Sequence, residues 1–164
     1  MQQIWARILA GEVARPGSFA PRTLSVVRDL TKHDAHLFTK VCSFAWAIPG
    51  SGLFPVIHDI EAPAFVEANI DFPQLMHLTS IGLIEYETQT GFGLKLPVTE
   101  ISSSYFGAVY QLKSEGGQKR RFKFGHTLFT AVGAELFGIS GAQKNDGYCK
   151  ATLETWSQDG WKQT

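Results

Sequence analysis

The chain has 164 residues, 44% of them hydrophobic and 18% charged, enough for one domain that buries around two thirds of its unfolded surface in a single core. Its 15 basic and 15 acidic side chains cancel to a formal charge of zero, so no global field steers it toward nucleic acid or an anionic membrane, and any such binding must be local. Cys42 and Cys149 are its only cysteines, which is no disulfide framework and suits a reducing cytoplasm.

No apolar run approaches the length of about 18 residues that spans a bilayer, and Met1 to Ala14 has neither a basic n-region nor an uninterrupted apolar h-region. The expectation is a cytoplasmic protein without export signal or membrane contact. Met1 to Val13 reads as a helix, with Trp5, Ile8, Leu9 and Glu12 at three- and four-residue spacings. No Ser, Thr, Asp or Asn precedes Ile4 to cap it. Either residues 1–164 are a single domain from the C-terminal part of a longer protein, beginning inside a helix, or the start is native and short. Pro16-Gly17-Ser18 and Pro21 then redirect the chain, and Thr23 to Leu30 is a short amphipathic helix with Leu24, Val27 and Leu30 inward.

Thr31 to Ile48 carries the strongest pattern. Thr31 and Asp34 form a capping box with the shorter acid, and Asp34 suits the positive end of the helix dipole. At helical spacing Ala35, Phe38, Val41, Cys42, Ala45 and Trp46 share one arc, which Leu37, Phe44 and Ile48 widen to roughly 200°. This predicts one central helix covered on two sides and stopped by Pro49-Gly50. Leu53 to Ile57 is a short β-rich run, and Glu61 to Ile70 is too mixed to assign. Asp71 caps a helix with Pro73 in its first turn that ends near Gly82.

The period then changes to two. Ile84, Tyr86 and Thr88 alternate with Glu85 and Glu87, Thr90-Gly91 turns the chain, and Phe92, Leu94 and Leu96 alternate on the return, which predicts a hairpin. A second hairpin is expected from Tyr110 to Phe124: Phe106, Ala108, Tyr110 and Leu112 share one strand face, Ser114 to Gly117 turns, and Phe122 and Phe124 face inward. Thr130 caps a helix over Ala131 to Ile139. Asn145 or Asp146 starts a last helix with Tyr148, Cys149, Thr152, Leu153 and Trp156 along one side and Gly160 at its end.

Two resemblances emerge from these residues. Trp5-Ala6-Arg7-Ile8-Leu9-Ala10-Gly11-Glu12, Pro16-Gly17-Ser18-Phe19, Arg22-Thr23-Leu24 and the helix opening at Leu30-Thr31 with Ala35 and Phe38 resemble an uncharacterised bacterial domain-of-unknown-function family. More loosely they are similar to abortive-infection alpha-type phage-resistance proteins, which share a Trp-Ala-x-x-Leu-Ala opening. The clear resemblance, to the uncharacterised family, covers about the first quarter of the chain and brings no catalytic residues, and the looser one implies a place in phage defence. Ile81-Gly82-Leu83-Ile84 resembles the exit of a winged-helix recognition helix into the first wing strand. Thr130-Ala131-Val132-Gly133-Ala134-Glu135-Leu136 resembles the ending that follows the wing.

Each site reading has a plainer competitor. Lys119, Arg120, Arg121 and Lys123 on the second hairpin suit phosphate contacts of a nucleic acid, yet the Asp71 to Gly82 helix has no Lys or Arg to read a groove, and a solvated hairpin face is the default. His33, Asp34, His36, His58 and Asp59 are metal-ligand types, but they come from two unrelated segments without a His-Glu-x-x-His or Cys pair, so surface histidines are the default. Cys42 falls on the core arc, Cys149 reads as structural, and neither Gly50-Ser51-Gly52, Gly138-Ile139-Ser140-Gly141 nor Gly91-Phe92-Gly93 has the setting of a nucleophile elbow or phosphate loop. Trp5 on an unmatched helix and Trp161 near the end of the chain are candidate partner anchors.

The expectation is an α+β domain: a helical N-terminal half, then a winged-helix-like helix plus antiparallel β-hairpins and C-terminal helices. It is expected to be non-enzymatic and without cofactor or metal, to pair with itself or another protein, and alternatively to bind nucleic acid.

Overall fold

The computed structural model describes residues 6–8, 10–11, 14–15, 17–95 and 97–164. The N-terminal helix expected over Met1 to Val13 falls largely outside these residues, although Ala6, Arg7, Ile8, Ala10 and Gly11 are helical and Ile8 is buried.

The fold is α+β, as expected. Helix α1 (Pro21–Asp29) starts on a proline and buries Val27. Helix α2 (Lys32–Cys42) opens on the expected capping box: Thr31 Oγ1 accepts from the Asp34 amide, and the Asp34 carboxylate accepts from the Thr31 amide at 2.8 Å. The helix does not reach Ile48. It closes at Ser43, whose amide turns back onto the carbonyls of Thr39 and Lys40, and residues Ala45–Ile48 form strand β1.

A four-residue apolar run satisfies either period, and here ladder partners on both sides decide it. Strand β1 is paired with β2 (Gly52–Pro55) on one side and with β5 (Glu100–Tyr105) on the other. The wide apolar arc read as a doubly covered helix is a helix followed by an interior strand.

The main sheet is five-stranded and antiparallel, in the order β2-β1-β5-β6-β9, with β6 at Ala108–Ser114 and β9 at Trp161–Gln163. Its inner face carries Trp46, Ile48, Ile101, Ser103, Tyr105, Leu112 and Trp161, all buried. The last helix, here α6 (Asp146–Gln158), is capped by Asn145 and covers that face. Trp46 sits at the junction, with ring centroids 4.9 Å from Tyr105, 5.3 Å from Tyr110 and 4.8 Å from Trp156. The buried Tyr148 hydroxyl accepts from the Trp46 indole at 3.2 Å and lies 2.8 and 2.7 Å from the carbonyls of Phe44 and Val56.

Neither expected hairpin forms. Strand β3 (Ile84–Tyr86) pairs with β8 (Thr127–Phe129), not with the next strand, β4 (Phe92–Gly93), which pairs with β7 (Lys123–Gly125). The Glu87 carboxylate gathers the amides of Gln89, Thr90 and Gly91 and turns the chain away from β3. In place of the second hairpin, β6 pairs with β5 through a two-residue turn at Phe106-Gly107, with φ of 45° and 88°. Phe106 is therefore a turn residue rather than a strand residue. The other neighbour of β6 is β9, so Tyr110 to Phe124 makes no ribbon.

The β3–β8 ribbon joins two helices. Helix α4 (Phe72–Ser80) follows the short α3 (Pro63–Glu67), opens on an Asp71/Gln74 capping box and exits through Gly82 at φ 80°. Helix α5 (Ala131–Phe137), capped by Thr130, follows β8.

Candidate interaction surfaces

Helix α4 packs inward through Leu75 and Leu78, both fully buried. One polar residue of its other faces is engaged within the molecule: His77 Nε2 lies 2.6 Å from Asp34 Oδ1 of α2. Burial alone would raise the Asp34 carboxyl, but hydrogen bonds from His77 and Thr31 outweigh it and hold the pKa below the usual carboxylate value. Besides the exposed His77 and Ser80, α4 presents two large apolar side chains to solvent. Phe72 is 44% exposed and Met76 43%, one helical turn apart, and Val66 of α3 is 61% exposed. Phe72 also meets the edge of Tyr86 with centroids 6.0 Å apart. Helix α4 contains no Lys, Arg, Asp or Glu. Composition did not reveal this face, although the i, i+4 spacing of Phe72 and Met76 beside Leu75 and Leu78 was readable.

The four basic residues do not form one patch. From Lys119 to Phe124 exposure alternates, so Lys119, Arg121 and Lys123 point outward while Arg120, Phe122 and Phe124 point in. The Arg120 guanidinium lies against Gly160, where an added Cβ would stand 2.7 Å from Nη1, and its buried Nε has no partner among the described residues. Arg121 Nε donates to the Leu94 carbonyl at 3.2 Å. Arg121 and Lys123 together wall a polar pocket of about 310 Å³ with Thr90, Gly91, Phe92 and Gly93.

Trp161, expected to be hard to bury, is 2% exposed: β9 adds to the sheet beside Ser114 and sets the indole edge-on to Phe122 at 5.2 Å. It is a core residue. Trp5 lies outside the described residues.

His33 and His36 are exposed on α2, and among the described residues no group of three or more His, Cys, Asp or Glu could hold a metal. His58 is the unusual histidine. Its Nε2 is buried with no partner, its ring is edge-on to Trp156, and burial pushes its pKa down to about 4. Burial also raises the thiols of Cys42 and Cys149 above their ordinary value, so neither is a ready nucleophile. A cleft of about 360 Å³ on the outer side of the sheet is lined mainly by Ala45, Ala47, Ser104, Phe106, Phe137 and Gly141.

Among the described residues, no helix is long and apolar enough to cross a membrane. No curated protein and no solved structure matches the chain. The family comparison gives a match over residues 1–153 to a family described as a protein of unknown function. That span includes the capped helices up to the middle of α6, the sheet apart from β9 and both candidate surfaces, and the chain belongs to this family, DUF2806.

Proposed function

We propose that this chain is a non-enzymatic, winged-helix-like interaction domain of a cytoplasmic bacterial protein, and that it pairs with a second copy of itself through α4. The observation that carries this is the uncharged helix whose solvent side shows Phe72 and Met76, extended by Val66. A symmetric dimer sets one patch against itself, and a patch without charge on α4 meets its copy without like-charge repulsion. The zero formal charge of the chain favours association in the same direction.

The winged-helix-like part rests on the order α4, β3, β8, α5. The motif at Thr130 folds against the motif at Ile81 to Ile84: Thr130 Oγ1 donates to the Gly82 carbonyl at 2.6 Å and the Thr130 amide to that of Leu83 at 3.2 Å.

Sedimentation equilibrium tests the pairing. The wild type should be a reversible dimer, and F72S/M76S should raise its dissociation constant at least tenfold, about 1.4 kcal/mol, with the far-ultraviolet circular dichroism of the folded chain retained. A wild type that stays monomeric, or a dimer indifferent to both changes, overturns it; capture of a different protein by the same face would redirect the reading to a heterologous partner. A nucleic-acid role is the second reading, supported by the outward Lys119, Arg121 and Lys123. A phage-defence setting, with the effector region outside this chain, rests on the likeness of the opening residues alone.

A further inference from the structure

Lys119, Arg121 and Lys123 recur at every second residue along an extended segment, so three cations stand in line on one face over about 13 Å. The segment is held straight from behind. Arg120 exchanges both backbone hydrogen bonds with Val98 at 2.8 Å, the Phe122 carbonyl accepts from the Leu94 amide at 2.8 Å, and the Lys123 carbonyl accepts from the Trp156 indole.

Among the described residues none of the three has an ion-pair partner. The lysine and arginine ion pairs among the described residues are Arg28–Asp29, Lys113–Glu100, Lys144–Asp146 and Lys150–Glu154, and the nearby Glu87 carboxylate is taken up by three backbone amides and by His126 at 3.6 Å. Arg121 spends only its Nε on Leu94, leaving its two terminal nitrogens without a protein partner among the described residues. At the Lys123 end the row opens into the polar pocket, whose lining includes Phe92 and Thr90.

We infer that this row is a binding track for the sugar-phosphate backbone of a single-stranded nucleic acid, with a base lodged against Phe92. This inference rests on the second, nucleic-acid reading and makes it specific. A line of cations running to a pocket lined by Phe92 suits a flexible single strand whose bases can stack on an aromatic side chain. A duplex reader instead places a cationic or polar helix in a groove, and the helix available here, α4, presents Phe72 and Met76. Arg120, turned toward Gly160, takes no part.

The test is fluorescence anisotropy with labelled 12-nucleotide oligo-dT, oligo-rU and a duplex of equal length, at about 50 and 200 mM salt. Single strands should bind more tightly than the duplex, with a log–log salt slope of about −2 for three phosphates at the single-strand value per contact. K119A/R121A/K123A should weaken single-strand binding at least tenfold, whereas K113A/K150A/K162A, which removes equal charge elsewhere, should stay within twofold. F92L, which keeps an apolar side chain, should weaken it several-fold through lost stacking, with circular dichroism confirming the fold of each variant.

Absence of binding in every arm at the lower salt overturns both the inference and the nucleic-acid reading beneath it. Equal weakening by the two triple variants, or a duplex bound as tightly as the single strand, overturns the track while leaving nucleic-acid binding in place.

Discussion

Gly133 shows how closely one residue can be held. A Cβ there would lie 2.0 Å from the Leu83 carbonyl oxygen, which cannot retreat because it accepts from the amide and hydroxyl of Thr130. Gly133→Ala should therefore lower stability by about 2 kcal/mol or more in urea unfolding. Gly138→Ala, with nothing within 4 Å and a φ of −60°, should leave it within about 0.5 kcal/mol; equal costs at both sites would contradict the packing described. His58 sets a pH dependence. Its pKa is about 4 in the fold, chiefly through burial and against the pull of Asp159, and about 6.5 unfolded. Between those values the unfolded chain takes up a proton that the folded one refuses, so stability is full above pH 6.5 and falls toward pH 4 by up to about 3 kcal/mol. His58→Gln should flatten this limb. The lowered Asp34 acts in the same sense but lower down, its contribution being present above its unfolded value of about 3.8 and lost below it, so the two windows separate in a titration of stability against pH.

The elements are tied together chiefly through Tyr148. Its hydroxyl links α6 to the carbonyls that precede β1 and follow β2 and to the indole of Trp46 in the sheet. Tyr148→Phe keeps the ring and its tilted contact with Phe44 at 4.6 Å but leaves buried polar groups unpaired. The expected cost is about 1–3 kcal/mol in denaturant unfolding, with the secondary structure unchanged; a neutral result would mean that those carbonyls find other partners. The ribbons β3–β8 and β4–β7 have no such node, being two or three residues long. They are held because Ile84, Phe122 and Phe124 also enter the common core.

Across the whole molecule one apolar cluster runs from Val27 and Phe38 of the N-terminal helices through Trp46 to Trp156 and Trp161. A single core implies a single cooperative unfolding transition. Far-ultraviolet circular dichroism, which follows the helices, and tryptophan fluorescence, which follows the sheet junction, should give coincident urea curves. Separated midpoints would mean that the helical half and the sheet are independent units. The surface divides differently from the core, with an uncharged apolar helix face, a line of outward cations and a sheet flank carrying the exposed Val109.

Features set by neighbours within four residues were legible in the sequence. The box at Thr31/Asp34, the caps at Asp71, Thr130 and Asn145 and the stop at Gly160 all depend on side chains reaching adjacent amides or on a local φ. Strand pairing was not legible. β3 finds β8 across about 40 residues because Ile84 faces Phe129 and Tyr86 faces Thr127, and the alternation that marks a strand does not name its neighbour. The same limit hid the identity of β1, whose short apolar run fits two periods until β2 and β5 supply ladder partners. It also divided the candidate sites: the run from Lys119 to Lys123 was visible as charge, but only the extended path of its backbone turned Arg120 inward, and only the addition of β9 to the sheet buried Trp161. Local chemistry thus determined where the elements begin and end, and long-range contact decided what they pair with and which side chains remain outside.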